Sequence, residues 1–257
     1  LLVLTIPFLA SAAELPKEGP LPASRPERKA EEKSKDAEKT PDATVKADIE
    51  RKAKDEAKAE AEAEKARARP HEDATAEAAC RSDLKTLGVT FEEAPVVNDG
   101  KACGIDRPVL LKALPGGVKV EPEATVRCDT ARQLARWLDG SVKPSLDAAM
   151  PGETIAALSQ ASAYVCKNRN GAEEGKISEH AFGNALDIAG FTLKSGKTIT
   201  IRPADKEPTL EGAFQRAITE AACLYFTTVL DPGSDAAHQN HLHLDVKERR
   251  GGYRYCW

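Results

Sequence analysis

The stretch "SEHAFGNALDIAGF", Ser178 to Phe191, sets a histidine and an aspartate seven positions apart around a glycine. The segment after the glycine, "NALDIAGF", reads as a strand, on which side chains alternate between two faces. Ala185, Asp187 and Ala189 then share one face, with small neighbours leaving space above the carboxylate. Gly183 allows a tight backbone path, so the preceding loop can fold His180 back over Asp187. "KTITI" is expected to pair with this strand as a hairpin, with Ser195 and Gly196 in the turn.

Only five histidines occur in the chain, and three of them, His238, His241 and His243, lie in "HQNHLHLD". If "HLHLD" is a strand, His241, His243 and Asp245 face one way and Leu242 and Leu244 enter the core. Two imidazoles so placed can meet one ion, or one can bind the ion while its neighbour addresses a substrate. Two histidine nitrogens, one carboxylate and an open position form a catalytic type of zinc site. No HExxH segment is present, and Glu179, beside His180, is expected to face solvent.

The remaining sequence outlines an α+β fold, with a central antiparallel sheet, flanking helices and disulfides. "VTFEEAPVV" and "IDRPVLLKAL" are expected as strands around the turn "NDGKACG", followed by "GVKVEP" and "ATVRC". Asp129 or Thr130 should cap a helix through "ARQLARWLDGSVKPSLDAAM". A strand is expected near Ala161 to Cys166, a second helix over "PTLEGAFQRAITEAACLYF", and a strand at "FTTVL".

Residues 1–13, "LLVLTIPFLASAA", read as the apolar core of a truncated signal peptide, ending in small residues suited to cleavage. Residues 14–76 are a low-complexity linker rich in Ala, Glu, Lys, Asp and Pro, disordered or helical, and unable to bury a core. The folded domain is then expected over 77–257. All six cysteines fall after the linker. An even count in an exported chain implies disulfides. Pairing of neighbours is the expectation: Cys80 with Cys103, Cys128 with Cys166, and Cys223 with Cys256. No later segment is apolar enough to cross a membrane. A net charge of -4, without a basic and aromatic patch, argues against nucleic acid as partner.

These residues carry a resemblance. "SEHAFGNALDIAGF" resembles the S-x-H-x-x-G-x-A-x-D motif of the D-alanyl-D-alanine carboxypeptidases and dipeptidases. "HQNHLHLD" resembles the H-x-x-H-x-H ending of the penicillin-insensitive murein endopeptidases. Both belong to the zinc peptidase group that includes lysostaphin and the hedgehog signalling domain. From Cys80 to Cys256, including "CGIDRPV", "YVCKNRNG" and "YRYC", the chain resembles the bacterial extensin-like C-terminal domain family.

The resemblance implies His180, Asp187 and His243 as zinc ligands, His241 as the catalytic histidine and His238 as an auxiliary. Arg169, in "KNRNG", is the cation best suited to a substrate carboxylate or a developing oxyanion. Asp235 or Asp245 could fix a histidine tautomer. The carboxypeptidases take their base from E-x-x-H, whereas Asn240 stands three residues before His243 here. A histidine base is therefore implied, as in the endopeptidases. The expected activity is hydrolysis of peptidoglycan stem peptides or crosslinks in the periplasm or outside the cell. The competing expectation is a zinc-containing module that binds wall peptides without cutting them, or a structural envelope protein.

Overall fold

The computed structural model describes residue 51 and residues 72–257, except 101, 174 and 205. The expected leader and nearly all of the expected linker lie outside the described residues. No described helix is long and apolar enough to cross a membrane.

The fold is α+β, built on one mostly antiparallel sheet. Helix α1 (Ala74–Thr86) leads into strands β1 (Thr90–Glu93), β2 (Val97–Asn98), β3 (Gly104–Ile105), β4 (Val109–Leu114) and β5 (Val118–Val126). Helix α2 (Cys128–Trp137) passes through a π-helical turn (Leu138–Val142) into α3 (Lys143–Ala149), and β6 (Ile155–Ser162) follows. Then come β7 (Ala185–Leu193), β8 (Thr198–Thr200), α4 (Leu210–Ala222), β9 (Thr228–Leu230), β10 (Leu242–Asp245) and β11 (Tyr255–Cys256). The sheet order is β1-β4-β5-β6-β7-β10-β9-β11, with β8 also on β7, while β2 and β3 pair separately. Among the described residues only the β5–β6 and β9–β11 pairs are parallel.

Strand β7 lies against β6 on one edge, and against β10 and β8 in turn on the other. Its partner residues on β6 step from Ser159 opposite Gly190 to Gln160 opposite Ile188, so Ala189 is an extra residue in β7. Such a bulge resets the alternation. Leu186 and Ile188 before it, and Phe191 and Leu193 after it, all enter the core, leaving Asp187 on the other face. Gly190 is required here because a Cβ would sit 2.4 Å from the Ile199 carbonyl oxygen of β8.

The core is closed by aromatic contacts. Trp137 of α2 packs 6.3 Å from Phe191 and 6.4 Å from Phe226, while its Nε1 donates to the Ile218 carbonyl of α4 at 2.9 Å. The π-helical turn falls where Gly140 makes room for the Tyr225 hydroxyl, which a Cβ would approach to 2.3 Å. Such widened turns mark places where a side chain inserts against a helix.

Several sequence expectations need correction. "VTFEEAPVV" is two strands, β1 and β2, interrupted around Pro95, which has no N–H for a ladder. The helix expected from Asp129 or Thr130 starts at Cys128 without a side-chain cap. The Thr130 hydroxyl instead donates to the Gly183 carbonyl at 2.9 Å. The strand expected at Ala161 to Cys166 lies earlier, over Ile155–Ser162. Helix α1 begins within the last residues of the stretch read as linker. Its buried residues are few, Glu77, Cys80 and Leu84, so its sequence lacks a broad apolar stripe.

That helix also explains the disulfides. Cys80 pairs with Cys128 and Cys103 with Cys166, in place of the expected neighbour pairs, while Cys223 pairs with Cys256 as expected. Cys80 on α1 faces the first turn of α2, a contact that only the packing of the two helices creates.

Candidate metal centre

Three elements converge on one point. His180 lies in a 3-10 turn (Glu179–Phe182) at whose start the Ser178 hydroxyl accepts from the His180 backbone N–H. Gly183 ends the turn at φ 67°, where a Cβ would lie 2.3 Å from Ile105 Cδ1, so both conformation and space demand glycine. The Gly183 carbonyl then accepts from Arg127 N and Thr130 Oγ1 at the start of α2, which fixes the loop to the body of the domain. Asp187 and His243 stand directly opposite each other on β7 and β10.

His180 Nε2 lies 3.2 Å from Asp187 Oδ1 and 3.2 Å from His243 Nδ1, and His243 Nδ1 lies 2.9 Å from Asp187 Oδ1. All three residues are buried. Their outer contacts set the protons. His180 Nδ1 lies 2.7 Å from the Ala163 carbonyl, which can only accept, so this nitrogen donates and leaves Nε2 with a lone pair. His243 Nε2 faces Asp245 Oδ2 at 3.4 Å, and the Asp245 carboxylate is held in turn by Thr228 Oγ1 at 2.6 Å and Lys247 N at 3.0 Å. Burial opposes the Asp245 charge, but His243 and these donors outweigh it and keep the carboxyl below its usual range. It therefore accepts from His243 Nε2, and His243 Nδ1 turns inward.

Two imidazole lone pairs and a carboxylate oxygen thus meet with their hydrogen-bond donors pointing away. Such a cluster requires a cation or a proton at its centre. Four N or O ligands at about 2.0–2.1 Å around tetrahedral zinc stand about 3.3 Å apart. The observed separations of 2.9 to 3.2 Å come close to this spacing, and the outer Ala163 and Asp245 partners match the way ligating histidines are commonly oriented. In the metal-free molecule a proton serves instead. Burial disfavours charge on His243, yet its hydrogen bonds to Asp187 and Asp245 push its pKa up to about 9. Burial likewise opposes the Asp187 carboxylate, while its contacts with His180 and His243 hold its carboxyl well below the usual range.

The centre opens into a cleft of about 610 Å³, lined also by His238, His241 and Arg169. His241 Nε2 lies 3.8 Å from Asp187 Oδ2, and its Nδ1 lies 3.0 Å from Asn240 Oδ1. Burial lowers its pKa; Asp187 pulls the other way, and the nearby His238, His243 and His180 reinforce the fall. His241 is accordingly a neutral imidazole near pH 7. The His238 ring lies 5.1 Å from that of His241, and its Nδ1 meets Asp235 Oδ1 at 2.7 Å. Arg169 sits in a 3-10 turn (Arg169–Gly171) within the loop closed by the Asn168–Ile177 bridge.

Glu179 does not face solvent. It is buried, accepts from Asn184 Nδ2 at 2.8 Å and pairs with Lys247 Nζ at 3.3 Å. Asn184 Oδ1 accepts from Arg127, whose Nε lies 3.2 Å from Glu72 Oε1. A polar chain thus runs from the residue after His180's own cap to the segment before α1. Lys167, Thr228, Arg249 and Tyr255 also line the cleft. The sequence offered little sign of these residues.

The family model for the extensin-like protein C-terminus matches residues 78–257. The chain belongs to this extensin-like C-terminal family. A search of curated proteins found no match.

Proposed function

We propose that the domain is a zinc peptidase of the bacterial cell envelope that hydrolyses peptide bonds in peptidoglycan stem peptides or crosslinks. The observation that carries this reading is the meeting of three lone-pair donors, His180 Nε2, Asp187 Oδ1 and His243 Nδ1, at the floor of an open cleft. Zinc held by these residues would supply a Lewis acid for a scissile carbonyl and an acidified water.

The chain's own groups would do the rest. His241, neutral and beside Asp187, accepts the proton of the attacking water and returns one to the leaving amine. His238, oriented by Asp235, stands next to His241 and, in its doubly protonated form, can donate from Nε2 to a developing oxyanion from the same side of the cleft. Lys167, Arg169 and Arg249 give the cleft positive charge suited to the carboxylates of a peptide substrate. The resemblance to the murein endopeptidases supports the substrate class. The apolar leader and three disulfides support export to an oxidising envelope.

A soluble crosslinked stem peptide tests the reading. The zinc-loaded protein should generate a new free amine, and a chelator should abolish it. An intact peptide with fully loaded protein would favour the non-catalytic binding module.

A further inference from the structure

A second cleft, of about 630 Å³, lies beside the metal cleft and is lined by Arg202, Gln215, Arg216, Glu220, Asp231 and Trp257 among others. We infer that this cleft is a saccharide-binding site in which Trp257 stacks on a pyranose ring and Gln215 donates to the sugar, and that it seats the glycan part of the substrate. The substrate assignment rests on the peptidase reading above; the saccharide site itself does not.

The backbone explains why the aromatic surface exists. Strand β11 pairs with β9, and the Trp257 backbone continues this pairing, with N donating to Val229 O at 2.9 Å and O accepting from Asp231 N at 2.7 Å. Cys256 is tied to the end of α4 by its disulfide with Cys223. Residues on either side of Cys256 project the opposite way. Tyr255 and Trp257 therefore form one ledge, their ring centroids 6.0 Å apart. Tyr255 borders the metal cleft and Trp257 the second one. Trp257 is 67% exposed, an unusual position for an indole without a partner to cover it.

The cleft floor gives an independent sign. Gln215 is 3% exposed, and its Oε1 accepts from Arg202 N at 3.1 Å, which fixes the amide orientation. Its Nε2 is left buried with no partner. A buried donor of this kind costs stability unless a ligand oxygen meets it.

Charge then selects the ligand class. Arg202 pairs with Glu207 and Glu211, Arg216 donates to the carbonyls of Ala204 and Glu207, and Glu220 and Asp231 border the same space. The cations are balanced, so an anion gains little there. A neutral ligand with one C–H face for the indole and hydroxyl or amide groups on its rim fits the donors and acceptors. A sugar seated on Trp257 directs its substituent past Tyr255 toward the metal cleft.

Fluorescence offers a direct test, because the chain has two tryptophans and Trp137 is fully buried. Titration of the intact protein with a β-1,4-linked N-acetylglucosamine oligomer should give a saturable change with a Kd of about 1 mM or tighter. Calorimetry should show binding lost in Trp257→Ala, kept in Trp257→Tyr and weakened in Gln215→Ala, with circular dichroism confirming that each variant folds. Trp257→Ala should also raise KM about tenfold on glycan-linked substrate while leaving cleavage of sugar-free stem peptide unchanged. A flat wild-type titration, or undiminished binding by Trp257→Ala, would overturn the saccharide site. Saccharide binding without cleavage of any substrate would uphold that site and sink the peptidase reading instead.

Discussion

Asp187 and His243 face each other across the β7–β10 pair, and their side chains meet at 2.9 Å between Oδ1 and Nδ1. The carboxylate and imidazole of the site are thus held by a strand register. A slip of either strand by one residue would send its own side chain to the other face and part the pair.

Metal must displace the proton that His243 holds up to about pH 9. Metal affinity should therefore rise with pH until that value, and about one proton should leave per ion near pH 7. Calorimetry in buffers of different ionisation enthalpy measures this release. In the metal-free protein His243 has the opposite effect: its raised pKa contributes stability that is full below its unfolded value of about 6.5 and is lost as pH rises through the folded one. Metal-loaded protein should lack this alkaline loss.

Asp245→Asn removes the carboxylate that keeps the His243 Nδ1 lone pair directed inward. Zinc affinity should fall by about 10–100-fold. A competition assay against a chromophoric chelator reads the loss, and an unchanged affinity would show that His243 is oriented by its strand alone.

His241→Ala should retain zinc, since the three inward donors are untouched, and should lower turnover by about 10²–10⁴-fold. Metal analysis and initial rates on one preparation separate the two effects. Full activity would remove His241 from the role of base.

Gly183→Ala forces a Cβ into Ile105 at a left-handed backbone position. It should destabilise the domain by more than about 1 kcal/mol and weaken zinc binding by displacing His180. Denaturant melts of the metal-free protein and metal titration measure the two consequences.

The two halves of the site were legible in the sequence for different reasons. Alternation in "HLHLD" correctly separates Leu242 and Leu244, which are buried in the core, from His243 and Asp245. The same alternation in "NALDIAGF" puts Asp187 on the open face but fails beyond Ala189, where the bulge sends Phe191 back to the core. Helix α1 was hidden because a charged, aromatic-free sequence can still dock through Cys80 and Leu84. The two unexpected disulfides follow from that docking and from the return of Cys166 beside Cys103. Glu179 looked solvated because its partners, Asn184 and Lys247, come from a turn and from a segment near the other end of the chain.

The most direct measurement is mass spectrometry of the products when the oxidised, zinc-loaded protein digests purified peptidoglycan, run beside His241→Ala. The account predicts new stem-peptide fragments with wild type and their near-absence with the variant at equal zinc content. Intact muropeptides from both, with zinc bound in each, would contradict it.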